Sequence, residues 1–201
     1  MLKGENLSRR IIILFIVLFL AIPIWPRSIS FYQEDLAIYV NDSTCTLKGH
    51  YFLKNNTKRD LSIPIYYPIA IDETQKYPDY ILLRRSCGKE IKYQKDSKGI
   101  GFSVNIPADS IISIYIEYEQ YVYSNNFEYI VESTRSWGEA LKKAKIEIHL
   151  PHKFRLLKTS FSYNKVKNRA DGLIYIIERN NFYPDKNVII EWERKKHEME
   201  K

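Results

Sequence analysis

Four histidines, His50, His149, His152 and His197, and two cysteines, Cys45 and Cys87, are the residues of this chain most suited to chemistry. Glu147 and His149 stand two apart in an alternating segment, so as a strand they would share one face, with His152 just past Pro151. Such a pair could begin a metal site. Two further ligands at a fixed spacing are missing, so an outward polar strand is the plainer reading and no metal is expected. Glu117 and Glu119 also share a strand face, where a solvated surface is commoner than an acid/base couple. The chain holds no Gly-x-Ser-x-Gly elbow, Cys-x-x-Cys pair, His-Glu-x-x-His or phosphate-cradling glycine loop. No catalytic residue and no cofactor follow from these residues.

Binding chemistry has one better location. Ser133-Thr134-Arg135-Ser136-Trp137-Gly138-Glu139 interrupts a strand-rich region with a cation and a large aromatic ring. In an exposed loop, Arg135 and Trp137 would suit a peptide, a glycan or a cell-wall polymer. The alternative is a Trp137 ring that folds inward and plugs one end of the fold. Cys45 and Cys87 form an even pair, a candidate disulfide in an oxidising compartment, provided that their Cα atoms come within about 7 Å. Two free thiols are the alternative.

The elements that must position these groups are strands. Sixteen tyrosines and abundant isoleucine, against seven glycines, favour pleated surfaces. Leu36, Ile38 and Val40 alternate before the turn residues Asn41-Asp42-Ser43; Cys45, Leu47, Gly49, Tyr51 and Leu53 then share a face. The spacing predicts further strands at Leu61–Tyr67, Tyr80–Arg85, Glu90–Gln94, Ile100–Ile106, Ile112–Tyr123 and Phe127–Val131. More follow at Lys145–Leu150, Arg155–Tyr163, Leu173–Glu178 and Val188–Glu193. Pro64 and Pro68 make Leu61–Tyr67 an edge strand or a bulged one. Asn164–Gly172 and Asn180–Asn187 read as loops, and Glu139–Ala144 could make one helical turn. The expected fold is all-β, an antiparallel β-sandwich of about ten strands preceded by one N-terminal hydrophobic helix, with an up-and-down barrel as its rival.

That helix sets the address. Lys3, Arg9 and Arg10 precede an unbroken apolar run from Ile11 to Ile22, which fades through Pro23, Trp25 and Pro26. The charge asymmetry keeps the N-terminus inside and exports the body. Residues 11–26 would span roughly 24 Å as helix at about 1.5 Å per residue, short for a hydrocarbon core of about 30 Å. Ser28-Ile29-Ser30 suits signal-peptidase cleavage before Phe31, whereas Trp25 and Arg27 resemble interfacial anchors, so both a signal peptide and an anchor stay open. A twin-arginine route fits the wholly aliphatic run poorly, and a lipoprotein would need a cysteine well before Cys45. The organisation expected is 1–30 as signal or anchor, 31–193 as one extracytoplasmic domain, and 194–201 as a charged tail.

The formal charge of +7 owes three units to residues 1–30, and acids and bases alternate through the rest. Nucleic acid is therefore not an expected partner. Asn41-Asp42-Ser43 and Asn55-Asn56-Thr57 match the glycosylation sequon, which matters only in a eukaryotic secretory pathway. Three stretches, 48–57, 129–137 and 181–192, resemble uncharacterised exported bacterial β-sandwich domains. That resemblance implies fold and export and transfers no catalytic residue. A non-catalytic binding or structural module of the cell envelope is expected, with a protein or envelope-polymer partner. A secreted hydrolase or carbohydrate-active enzyme is the competing class; it would need Glu117, Glu147 or His149 to converge on the Arg135–Trp137 loop.

Overall fold

The computed structural model describes residues 28–196, and the apolar segment 11–26 and the end of the tail lie outside them. The described chain is built of strands, with one 3-10 helix at Glu132–Trp137. Seven strands form the large sheet: β1 (Ile29–Val40), β2 (Thr44–Asn55), β4 (Ile81–Arg85), β7 (Ile111–Tyr121), β9 (Leu141–Pro151), β11 (Lys165–Arg169) and β12 (Gly172–Phe182). Their order is β11-β12-β9-β1-β2-β7-β4. Two three-stranded sheets complete the fold. One holds β3 (Leu61–Pro68), β6 (Gly99–Ile106) and β5 (Tyr93–Lys95); the other holds β10 (Phe154–Thr159), β13 (Val188–Arg194) and β8 (Asn126–Tyr129).

The sequence reading needs four corrections. The large sheet is mixed rather than antiparallel, because β1 and β9 run parallel from Gln33 opposite Lys143 to Tyr39 opposite His149. A parallel pair cannot close through a tight turn, and here everything from β2 to β8 serves as its connection. Among the described residues thirteen strands replace about ten. One of them, Lys165–Arg169, was expected as loop: as an edge strand it pairs only with β12 and stays largely exposed, so it needs no apolar alternation. The expected hairpin of Tyr80–Arg85 with Glu90–Gln94 is reduced to a single bridge between Arg84 and Glu90, and β5 pairs with β6 instead. The helical turn falls at Glu132–Trp137, closed by Gly138 at a left-handed φ of 70°, while Leu141 already begins β9. The proline-bearing β3 does lie at an edge, as proline's missing donor requires.

Inward residues of all three sheets share one hydrophobic cluster, with Leu36, Ile38 and Val40 of β1 joined by Ile100 and Phe102 of β6 and Ile190 and Trp192 of β13. Period-two alternation therefore holds across the large sheet. A bulge interrupts it at Tyr32, where Phe31 faces Leu53 and Gln33 already faces Phe52. The extra residue resets the phase, so both Phe31 and Glu34 turn inward. Among the described residues no helix is long and apolar enough to cross a membrane.

Candidate functional site

Glu34 is the outlier created by that reset. It belongs to the inward series Glu34, Leu36, Ile38, Val40 and is 0% exposed. Directly opposite on β2 stands Tyr51. Tyr129 of β8 donates its hydroxyl hydrogen to Glu34 Oε1. The Tyr129 and Tyr51 hydroxyls lie 3.3 Å apart. Tyr51 and Tyr67 of β3 share a hydrogen bond of 2.8 Å, and Tyr118 of β7 bonds Tyr67 in turn. A chain of hydroxyls thus runs from one buried carboxylate through all three sheets.

The local sequence explains this placement. Gly49 sits two residues before Tyr51 on the same face, and the Tyr51 ring lies back across it; a Cβ at Gly49 would overlap that ring. A glycine inside a strand gives up stability, and here it makes room for the aromatic ring. The four tyrosines are buried, and loss of solvent holds every one of their hydroxyls well above its ordinary pKa. Burial pushes the Glu34 carboxyl up to about 7, against the bond from Tyr129, with Asp35 adding a smaller upward push. Its second oxygen, Oε2, is buried without a hydrogen-bond partner.

Beside this chain lies a cavity of about 50 Å³. Tyr51, Tyr67 and Tyr129 form its polar side, Phe31, Phe102 and Ile116 part of its apolar side. Tyr66 (51% exposed), Ser133 and Trp137 also line it and are among its less buried residues. Trp137 is half-buried, with its ring 6.0 Å from that of Phe31. Its ring has therefore turned inward, as the alternative reading of that loop had it. Arg135 stays exposed, pairs with Glu132 at 3.7 Å and lies over the Tyr183 ring at 5.1 Å. The two loop residues are neighbours in one 3-10 helix but face different surroundings.

The other groups named from sequence do not assemble. Glu147 and His149 sit 3.2 Å apart on the outer face of β9, with His149 stacked on Tyr39 at 4.2 Å and Lys145 pairing Glu147 at 2.8 Å. Desolvation raises the Glu147 carboxyl, but bonds from Lys145 and His149 outweigh it and hold the pKa below its usual value. Glu117 is likewise held low by bonds from Tyr115 and Lys48 despite its partial burial. Both carboxylates lie on the side of the large sheet opposite the cavity, so neither converges on Arg135 and Trp137. His152 bonds the Arg169 carbonyl at 2.9 Å. Glu119 accepts from Thr44 and Thr46 at 3.2 and 3.1 Å. Among the described residues no three His, Cys, Asp or Glu side chains are grouped as metal ligands would be.

The cysteine pair is a correction. Both thiols are free, Cys45 buried and Cys87 exposed. Cys45 faces Gln120 of β7, while Ser86, next to Cys87, bonds Ser113 of the same strand. Seven residues of strand separate those points, roughly 23 Å at about 3.3 Å each, far beyond disulfide reach. Asn55, first of its sequon, is wholly buried and donates to the carbonyls of Arg59, Ile106 and Pro107, leaving no room for a glycan.

Known proteins share this fold at low identity. A Legionella pneumophila protein provisionally described as a nutrient binding protein is 12% identical with a TM-score of 0.69, over 82% of this chain and 67% of that one. An M1 zinc metallopeptidase from Deinococcus radiodurans is 8% identical with a TM-score of 0.53, over 82% of this chain. This chain spans only 43% of that enzyme. No protein-family model matches the sequence, and no curated protein matches it.

Proposed function

We propose that residues 31–193 form a β-sandwich domain that acts as a non-catalytic binding module of the cell envelope, exported and then either released or tethered by residues 11–26. The supporting observation is the cavity at the junction of the three sheets, where a buried carboxylate stands behind tyrosine hydroxyls beside the Tyr66–Trp137 mouth. Proteins rarely leave a charged oxygen unpaired in the core unless it has a use. Phe31 lines this cavity and follows the apolar segment within a few residues, so a tethered domain would hold its mouth close to the membrane. The description of the Legionella protein as nutrient binding accords with a binding role, as does the resemblance to exported sandwich domains. A protein or envelope polymer is the partner class in this reading.

A photo-crosslinking residue at Tyr66 tests the module in intact cells, with one at Val166 on β11 as control. Adducts with an envelope component are expected at Tyr66 and not at Val166. Equal labelling at both positions, or none, contradicts the reading. The mature mass decides the tether: a chain beginning at Phe31 is released, and a full-length chain in the membrane fraction is anchored.

A further inference from the structure

The hydroxyl chain has a direction that one proton controls. Tyr129 owns a single hydroxyl hydrogen, which goes either to Glu34 Oε1 or to Tyr51. While Glu34 is ionised, Tyr129 gives its hydrogen to the carboxylate rather than to Tyr51, and Tyr51 and Tyr67 share theirs. Each of these hydroxyls then keeps a lone pair with which to accept from a guest. The wall of the cavity becomes an array of acceptors backed by a negative charge. Apart from Ser133 the remaining lining is aromatic and aliphatic, with Phe31, Phe102 and Trp137 around the same space. Aromatic rings, acceptor oxygens and a nearby carboxylate together favour a cation with hydrogen atoms to donate.

We propose that this cavity receives the protonated head of a primary amine, with the Tyr51 and Tyr67 hydroxyls accepting its hydrogens and Glu34 supplying the counter-charge behind Tyr129. The proposal rests on the binding-module reading and names its ligand class. Size sharpens it. One water needs about 10–15 Å³ by the measure that gives this cavity about 50 Å³. Two to four heavy atoms fit and a tetraalkylammonium does not. An anion would face the charge of Glu34 and is excluded by it. The groups that face Glu34 or adjoin it are Tyr129 from β8, Tyr51 from β2, Tyr67 from β3, Tyr118 from β7 and Asp35 of its own strand. None of these brings a cation.

Calorimetric titration of the full-length chain in detergent with n-propylamine, 1-propanol and tetraethylammonium tests the assignment. Near pH 8, where Glu34 is ionised, propylammonium is expected to bind in the millimolar range that so small a ligand allows. The alcohol and tetraethylammonium should bind at least about tenfold more weakly, and propylammonium itself should weaken about tenfold near pH 5. Glu34→Gln should abolish binding and Tyr129→Phe should weaken it, each with a cooperative native melt. Equal binding of 1-propanol and propylammonium overturns the proposal, as does undiminished binding in folded Glu34→Gln. Cross-linking at Tyr66 without amine binding rejects the amine and leaves the module standing. Amine binding without cross-links supports the cavity assignment and overturns its envelope setting.

Discussion

Two of the buried polar clusters in this core are finished differently. At Gln75 and Gln120 every amide atom is used. Gln75 Nε2 donates to the Ala70 carbonyl, Gln120 Oε1 and the Glu128 carbonyl, while its own Oε1 accepts from the Glu128 amide. Gln120 Nε2 donates to the Ala70 and Lys76 carbonyls. This neutral, closed network staples the loop after β3 to β7 and β8. At Glu34 the group is ionisable, one oxygen lacks a partner, and a cavity adjoins the tyrosines that answer it. A closed network is what structure requires of buried polar atoms; an open one costs stability and marks a place where something else completes it.

Breaking the closed cluster should have the larger effect. Gln75→Leu would strand the Glu128 amide and Gln120 Oε1, costing about 4 kcal/mol and lowering the melting temperature by roughly 10 °C in calorimetry. Glu34→Gln should act in the opposite direction. The folded state binds the Glu34 proton more tightly than the unfolded state, so wild-type stability falls as pH rises from about 4.5 to about 7. The variant escapes that loss, gaining up to roughly 3 kcal/mol above about pH 7 and nothing below about 4.5, as urea melts across pH would show. A stabilising change at Glu34 beside a destabilising one at Gln75 is the signature of the contrast.

Gly49→Ala sharpens it with a smaller effect. The added methyl displaces the Tyr51 ring, costing about 1–3 kcal/mol in denaturant melts and disconnecting Glu34 from Tyr67. Smallest of all is Cys87→Ser, within about 0.5 kcal/mol of wild type because the thiol is exposed and free. In the native protein Cys87 should react with a thiol reagent at once and Cys45 only on unfolding, since burial raises the Cys45 thiol far above its usual pKa.

Much of the fold was legible because burial of one face writes itself into every second residue, as along Cys45–Leu53 and Ile112–Tyr118. The sheet partners were not legible: nothing in β9 says that it lies parallel to β1, and Lys165–Arg169 carries no apolar alternation because an edge strand needs none. The site was half visible. Trp137 was singled out and does line the cavity, but Arg135 turns away and Glu34 went unnoticed. Extending the series Leu36, Ile38, Val40 one step back would have placed a carboxylate in the core, and Gly49-x-Tyr51 opposite it hinted at a ring needing room. Convergence of Tyr67 and Tyr129 from other sheets is a property of tertiary packing, which no local period encodes.

Glu34 is a carboxyl that the fold leaves without a full set of partners. Carbon-13 NMR of the glutamate carboxyl carbons, with Glu34→Gln to assign the resonance, measures its titration directly. A Glu34 midpoint near 7 is expected from its burial. A midpoint near 4.5 would mean that water or a cation already serves Oε2, and would contradict an open site behind the tyrosines.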